Sequence, residues 1–286
     1  MTPTAESRTT DAVCAPHDEK EHRLRALLRD LGSVVVAFSG GVDSAYLAWV
    51  ASGELGDQAL SVTADSASYP QRHRELARRL AREFNFRHEF IESSELENPR
   101  YRANPPDRCY HCKRDLFEHL SALAASRGFA AVVDGNNADD RGDYRPGRQA
   151  ASEMGVRSPL DEVNLTKDEI RELSRRAGLP TWDQPASACL SSRIPYHSEV
   201  TGEKLRMIEQ AEEALHALGF RICRVRHHGD LARVELGREE MSRAVDPDVA
   251  AAIVRELKGA GYQYVSLDLQ GYRTGSLNEV LRLRPI

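Results

Sequence analysis

No stretch of the 286 residues holds the roughly 18 consecutive apolar residues that a membrane span requires, so transmembrane placement is excluded. The first twenty residues are polar and lack the apolar centre of a secretory signal. They read as a loose tail, residues 1–20. Cysteine is scarce: Cys14, Cys109, Cys112, Cys189 and Cys223 make an odd count, which points to reduced thiols in the cytoplasm and away from a disulfide framework. An excess of basic charge is missing too. Lys and Arg number 39 against 44 Asp and Glu, a net charge of −5 that gives no bulk attraction for nucleic acid. Internal repeats and low-complexity tracts are absent. What is present is an ordinary balance, 41% hydrophobic and 29% charged, in a chain long enough to bury its own core.

The periodicity alternates between strand and helix. Residues 22–31 carry Leu24, Leu27, Leu28 and Leu31 at helical spacing, and residues 34–38 form a short β-branched run that reads as a buried parallel strand. Residues 45–52, 71–84 and 113–126 predict helices, and residues 59–64, 87–91 and 130–134 predict strands. Thr166 and Glu169 spell a capping box ahead of Ile170, Leu173 and Ala177, with Gly178 as the stop. Repeated βα units imply an α/β fold, a doubly wound parallel sheet with ligands at the carboxyl ends of its strands. Residues 180–198, with three prolines and a cysteine, read as a functional loop or hinge. Beyond it, residues 202–218 and 238–258 predict helices, and 222–227, 231–236 and 262–267 predict strands, a smaller α/β unit. The division is therefore tail 1–20, first domain 21–197 and second domain 198–286.

Between the first strand and its helix lies Ser39-Gly40-Gly41-Val42-Asp43-Ser44. The two glycines let backbone N–H groups converge on an anion, the helix N-terminus adds its dipole, and the serine hydroxyls can donate to phosphate oxygens. A bare phosphate would repel Asp43, so that carboxylate makes chemical sense as a holder of Mg²⁺ on a pyrophosphate. The string is not a Walker A loop, since no Gly-Lys-Ser/Thr follows. It resembles the PP-loop of the N-type ATP pyrophosphatases, a superfamily that includes GMP synthetase, NAD synthetase and tRNA-thiolating enzymes. That resemblance implies cleavage of ATP to AMP and pyrophosphate with adenylation of a carbonyl-type oxygen.

A second constellation is Cys109 and Cys112 in Arg-Cys-Tyr-His-Cys-Lys at a helix start, with Cys189 in the later loop. Thiols three apart at a helix N-terminus face one another, and the dipole is expected to lower their pKa. Three thiolates suit an iron–sulfur cluster with one open iron. Adding His111 would suit a Cys₃His zinc site. Unrelated reduced thiols are the remaining reading. Cys14 and Cys223 read as incidental or structural. His227 and His228 near Asp230 read as a polar hairpin turn.

Longer strings narrow the choice. Asp134-Gly-Asn-Asn-Ala-Asp-Asp140, Gly142-Asp-Tyr-Arg-Pro-Gly147, Gly155-Val-Arg-Ser-Pro-Leu160, Ser191-Ser-Arg-Ile-Pro-Tyr196, Arg224-Val-Arg-His227 and Tyr264-Val-Ser-Leu-Asp-Leu269 resemble, in collinear order from about Leu24 onward, the LarE family. The resemblance implies an ATP-dependent sulfur transferase that adenylates a carboxylate of pyridinium-3,5-biscarboxylic acid mononucleotide and replaces AMP with sulfur, giving a thiocarboxylate. It implies homo-oligomers, hexamers being the expected size, and a C-terminal domain that serves substrate and assembly. Some members sacrifice one cysteine of their own chain. Others carry three cysteines and a [4Fe–4S] cluster with transferable sulfide. Here Cys189 lies one residue after the sacrificial position, which Ala188 occupies, and the three-cysteine pattern favours the cluster.

The expected roles follow. Cys109, Cys112 and Cys189 hold the cluster and serve catalysis. Ser39, Gly40, Gly41, Asp43, Ser44 and Asp134 bind ATP, pyrophosphate and Mg²⁺, although Asp134, like Asp143, also suits plain turn chemistry. Ser192, Arg193, Arg224 and Arg226 bind the phosphate of a nicotinate-derived mononucleotide, since arginine forks match phosphate oxygens. For Arg224 and Arg226 the alternative is a strand face paired with acidic neighbours such as Glu235. The rival functions are tRNA thiolation, ammonia-dependent amide synthesis, sacrifice of Cys189, and a non-catalytic nucleotide-binding module.

Overall fold

The computed structural model describes residues 16–142, 146–185, 188–273 and 275. Cys14, Asp143 and the Ala186-Ser187 pair lie outside the described residues. The first expectation to be corrected is the tail: helix α1 begins at Pro16 and runs to Leu31, so residues 16–20 are helical. Its leucine stripe faces inward, with Leu24 and Leu28 fully buried, and Lys20 Nζ donates to both oxygens of Glu169 at 2.7 Å.

Strand β1 (Val34–Ala37) is buried at every position. It leads into α2 (Val42–Leu55), β2 (Ala59–Asp65), α3 (Gln71–Glu83) and β3 (His88–Glu92). A short helix α4 (Pro99–Arg102) precedes α5 (Arg108–Arg127) and β4 (Ala131–Val133), followed by α6 (Pro146–Glu153), α7 (Pro159–Glu162) and α8 (Lys167–Arg176). The four strands form a fully parallel sheet in the order β3-β2-β1-β4. The chain proceeds outward from β1 to β3 and then crosses to the other side of β1, so the winding reverses between β1 and β4. A crevice at the carboxyl ends of such a strand pair is where a doubly wound sheet binds ligands. The expected capping box on α8 is present, with Thr166 and Glu169 bonding reciprocally.

The remaining chain forms α9 (Gly202–Ala217), the hairpin β5 (Cys223–His228) and β6 (Leu231–Leu236), α10 (Met241–Ala244), α11 (Pro247–Gly259) and β7 (Tyr264–Leu267). The sheet order is β5-β6-β7, antiparallel and then parallel. The single helix expected over residues 238–258 is broken, because Asp246 caps a new helix whose first residue is Pro247. Cys223 is fully buried in this unit's core. The polar turn between β5 and β6 leaves His227 buried, with Nδ1 3.1 Å from the Tyr262 hydroxyl.

The segment expected to be a hinge is packed. Leu190, Ile194 and Val200 join Tyr101, Leu205 and Ile208 in a small apolar core between the two sheets. Near the crevice, backbone meets backbone. A Cβ on Gly135, just after β4, would lie 2.9 Å from Ser44 N and 3.2 Å from its Cα. Gly135→Ala must therefore push the phosphate-type loop away, and a loss of about 1–3 kcal/mol in urea unfolding is expected, together with weakened ATP binding.

Candidate active site

The loop of residues 39–44 turns on Gly40, whose φ of +72° few side chains tolerate. Gly41 then sits at the N-cap of α2 with no side chain closing the helix end, so the first N–H groups of the helix face outward. The loop braces itself. Ser44 Oγ accepts from Ser39 N at 3.2 Å, lies 3.1 Å from Ser39 Oγ and donates to Gly41 O at 3.2 Å. The Tyr69 hydroxyl donates to Ser39 O at 3.0 Å from across the crevice.

Asp43 has two partners from elsewhere in the chain: Lys167 Nζ at 2.5 Å from Oδ2 and Asn137 Nδ2 at 3.3 Å from Oδ1. Sequence reading missed Lys167, although it directly follows the capping residue Thr166 that fixes the start of α8. Asp134 is buried at the end of β4 and accepts from Ser158 Oγ at 2.7 Å, Asn136 Nδ2 at 2.5 Å and Asn136 N at 3.2 Å. Burial raises its carboxyl above the ordinary range. It serves turn chemistry and also faces the crevice.

The decisive geometry is that one cavity of about 410 Å³ is lined by Ser39, Gly41, Asp43, Ser44 and Asp134, and equally by Cys109, Cys112 and Cys189. The thiols and the anion loop share a chamber. Arg108 and Lys113, which flank the cysteine pair, line it as well.

The thiols themselves depart from expectation. Burial and the Glu95 carboxylate push Cys112 strongly upward, and burial with neighbouring Cys189 pushes Cys109 upward against the pull of Arg108 and Lys113. The helix end does not offset desolvation here, because Cys112 packs on the apolar core between the sheets. Among the described residues no three His, Cys, Asp or Glu side chains close around an ion position. Three thiols on one cavity wall are still the donor set of a three-thiolate cluster, and metal coordination deprotonates a raised thiol outright. In donor chemistry the residues fit.

Cys189 is placed by a clamp. Arg193, 2% exposed, sends Nε and Nη2 to the two Glu212 carboxylate oxygens at 2.8 and 2.9 Å. Its Nη1 donates to Ala188 O at 2.8 Å, Cys189 O at 2.9 Å and Ser192 Oγ at 2.9 Å. Arg193 is thus committed to an ion pair and to the backbone around the thiol, whereas sequence reading gave it a phosphate. Arg226 likewise forks onto both Glu235 oxygens, at 3.0 and 2.8 Å, and donates to Ser192 O at 2.8 Å. The pairing with Glu235 is the alternative weighed for that strand. Arg224 lies over the Tyr272 ring at 5.2 Å and lines a second cavity of about 610 Å³. Pro70 and His73 wall both cavities. His73 is held down to about 4 by burial and by Arg193, Arg72 and Arg224.

Comparison with known proteins fits this geometry. Residues 21–140 match the family described as asparagine synthase. The chain is 38% identical over 264 residues to the pyridinium-3,5-bisthiocarboxylic acid mononucleotide synthase of Lactiplantibacillus plantarum, covering 92% of this chain and 95% of that one. It belongs to the LarE family. It is 44% identical to an uncharacterized protein of Synechocystis sp., over 92% of this chain and 98% of that one. A Methanocaldococcus jannaschii protein, also uncharacterized, is 27% identical over 84% and 91%. As a LarE protein the chain is an ATP-dependent sulfur transferase, and the family match spans the loop of residues 39–44. No helix among the described residues is long and apolar enough to cross a membrane.

Breaking the clamp leaves a buried charge alone. Arg193→Met should cost about 3–5 kcal/mol in chemical denaturation, and Arg193→Met with Glu212→Leu should regain most of it. Strictly additive losses would show that the pair is not the clamp.

Proposed function

We propose that this LarE protein adenylates a carboxylate of pyridinium-3,5-biscarboxylic acid mononucleotide and converts it to the thiocarboxylate. The observation that carries the reading is the single chamber lined by the anion loop and three cysteines. A free carboxylate is a poor acyl donor because its leaving group would be oxide. Attack of a carboxylate oxygen on the α-phosphorus of ATP forms the acyl adenylate and breaks the bond to pyrophosphate. The amides of residues 39–44 receive that pyrophosphate, with Ser39 and Ser44 adding hydroxyl donors. Asp43 carries the Mg²⁺ that accompanies ATP. Lys167, already on that carboxylate, adds a cation beside the leaving group.

A sulfur anion then attacks the acyl carbon, and the carbon–oxygen bond to AMP breaks. Cys109, Cys112 and Cys189 are the residues that would hold a [4Fe–4S] cluster, which would supply an exchangeable sulfide. Arg108 and Lys113 offset the negative charge gathered in the chamber. The nucleotide's phosphate belongs in the second cavity, where Arg224 lines the wall with Arg72 and Arg221, and the carboxylate reaches the chamber past His73, which walls both cavities. Ser192 and Arg226, expected on the phosphate, are not on that wall. In this reading residues 198–286 form the unit for substrate and assembly of a homo-oligomer, and the protein works in the cytoplasm.

The test is anaerobic turnover with ATP, Mg²⁺, sulfide and the dicarboxylate nucleotide, read by mass spectrometry of small molecules and protein. Equal amounts of AMP and pyrophosphate, and exchange of one oxygen for sulfur in the nucleotide, are expected. Asp43→Asn should slow pyrophosphate release by roughly 100-fold. Cys189→Ala should spare pyrophosphate release and abolish thiocarboxylate. The active protein should hold about four irons per chain, lost in Cys109→Ala. A chain that loses the mass of one sulfur at Cys189 would replace the cluster by self-sacrifice. Pyrophosphate release that requires tRNA would overturn the substrate assignment.

A further inference from the structure

One buried carboxylate in the chamber is unused by this scheme. Glu95, 3% exposed, lines the cavity with Cys112 and Cys189 and makes no ion pair among the described residues. A buried carboxylate without a counter-charge costs stability unless its oxygens are hydrogen-bonded. Here they are: Ser68 Oγ donates to Oε1 at 2.5 Å and Ser93 Oγ to Oε2 at 3.2 Å.

The two serines differ in what they do next. Ser93 leads only back into the first sheet, its N–H donating to Asp65 O at 3.0 Å. Ser68 continues, because its carbonyl accepts the Leu190 N–H at 2.8 Å, and that amide belongs to the peptide that begins at Cys189. The other supports of this segment are known: Arg193 grips the carbonyls of Ala188 and Cys189. On the far side, Tyr101 Oη lies 2.5 Å from Ser191 Oγ, and Arg108 donates to Ser191 O at 3.0 Å. The carbonyl side of Cys189 is held through the second unit, by Arg193 on Glu212. The N–H of that same Cys189–Leu190 peptide is held by the segments that follow β2 and β3, through Ser68 and Glu95.

We infer that Glu95 is a positioning residue for Cys189, acting through Ser68. The inference rests on the proposed role of Cys189 for its meaning and on the hydrogen bonds alone for its geometry. The carboxylate anchors Ser68 Oγ, which Ser66 Oγ also approaches at 3.3 Å, and so restrains the residue whose carbonyl accepts the N–H of the Cys189–Leu190 peptide. What the relay requires of residue 95 is an acceptor, so glutamine should serve where alanine fails.

Four variants of the full-length protein test this: Glu95→Ala, Glu95→Gln, Ser68→Ala and Ser93→Ala. With metal removed from all of them by a chelator, iodoacetamide modification of each cysteine peptide is followed by mass spectrometry at one pH. Glu95→Ala and Ser68→Ala should change the Cys189 rate by the same factor, about tenfold. Glu95→Gln and Ser93→Ala should stay within about twofold of the parent. In turnover, the first two should lose tenfold or more of thiocarboxylate formation while ATP–pyrophosphate exchange persists, since small misplacements of a reacting group are costly. The inference is overturned if Glu95→Gln behaves as Glu95→Ala while Ser68→Ala behaves as the parent, which would leave only a charge effect. It is equally overturned if no variant alters Cys189. Should Glu95→Ala unfold, revealed by modification of buried Cys223, the contrast between Ser68→Ala and Ser93→Ala decides alone. The alkylation arm reads geometry even if the parent makes no thiocarboxylate, so the two proposals fail separately.

Discussion

A buried ion pair between Arg193 and Glu212 holds this structure's chemistry in place. Its energetic contribution to folding need not be large, because removing two charges from water offsets much of their attraction. Its value lies in direction. One guanidinium plane meets a carboxylate of α9 on one edge and two consecutive carbonyls beside Cys189 on the other. The smaller unit thereby determines where a thiol stands in the larger one. Leu190 and Ile194, on either side of Arg193 in sequence, join an apolar core with Tyr101, Val200, Leu205 and Ile208, so this part of the segment is packed.

The winding of the larger sheet does the rest. Reversal between β1 and β4 opens a crevice at the carboxyl ends of those strands, and the two loops beside it are pressed together until Gly135 touches Ser44. The anion loop lies on that crevice by topology, and α5 brings Cys109 and Cys112 to its rim. Charged side chains stand around one space: Asp43 paired with Lys167 at the anion loop, and Arg108 and Lys113 beside the thiols. The proposed two-step acyl activation and sulfur transfer requires a nucleotide and a sulfur donor in one such space.

Much of this was legible in the chain. The strand–loop–helix around residues 39–44 announced itself, because glycines, serines and an aspartate after a β-branched run have few other uses. The parallel sheet followed from alternating periodicities, and the capping box at Thr166 was correct to the residue. Contacts between distant segments left no local trace. Lys167 on Asp43 is 124 positions away in sequence, and Glu95 looks like any exposed acid in Ser-Ser-Glu-Leu-Glu. Arg193 and Arg226 were hard to place for a related reason. Residue type shows that a guanidinium seeks an anion, but only the fold shows whether Glu212 or Glu235 reaches it before a phosphate does. The thiols misled because the helix end was visible in sequence, while the apolar packing that raises their pKa was not.

The thiols and the anion loop line one chamber, and coupling of adenylation to sulfur transfer depends on that. The most direct measurement is protection of individual cysteines from alkylation by ATP with Mg²⁺ in the metal-freed protein, followed peptide by peptide. Slowed modification of Cys109, Cys112 and Cys189, with the protection lost in Asp43→Asn, is the result the account requires. Saturating nucleotide that binds tightly yet leaves all three rates unchanged would contradict it.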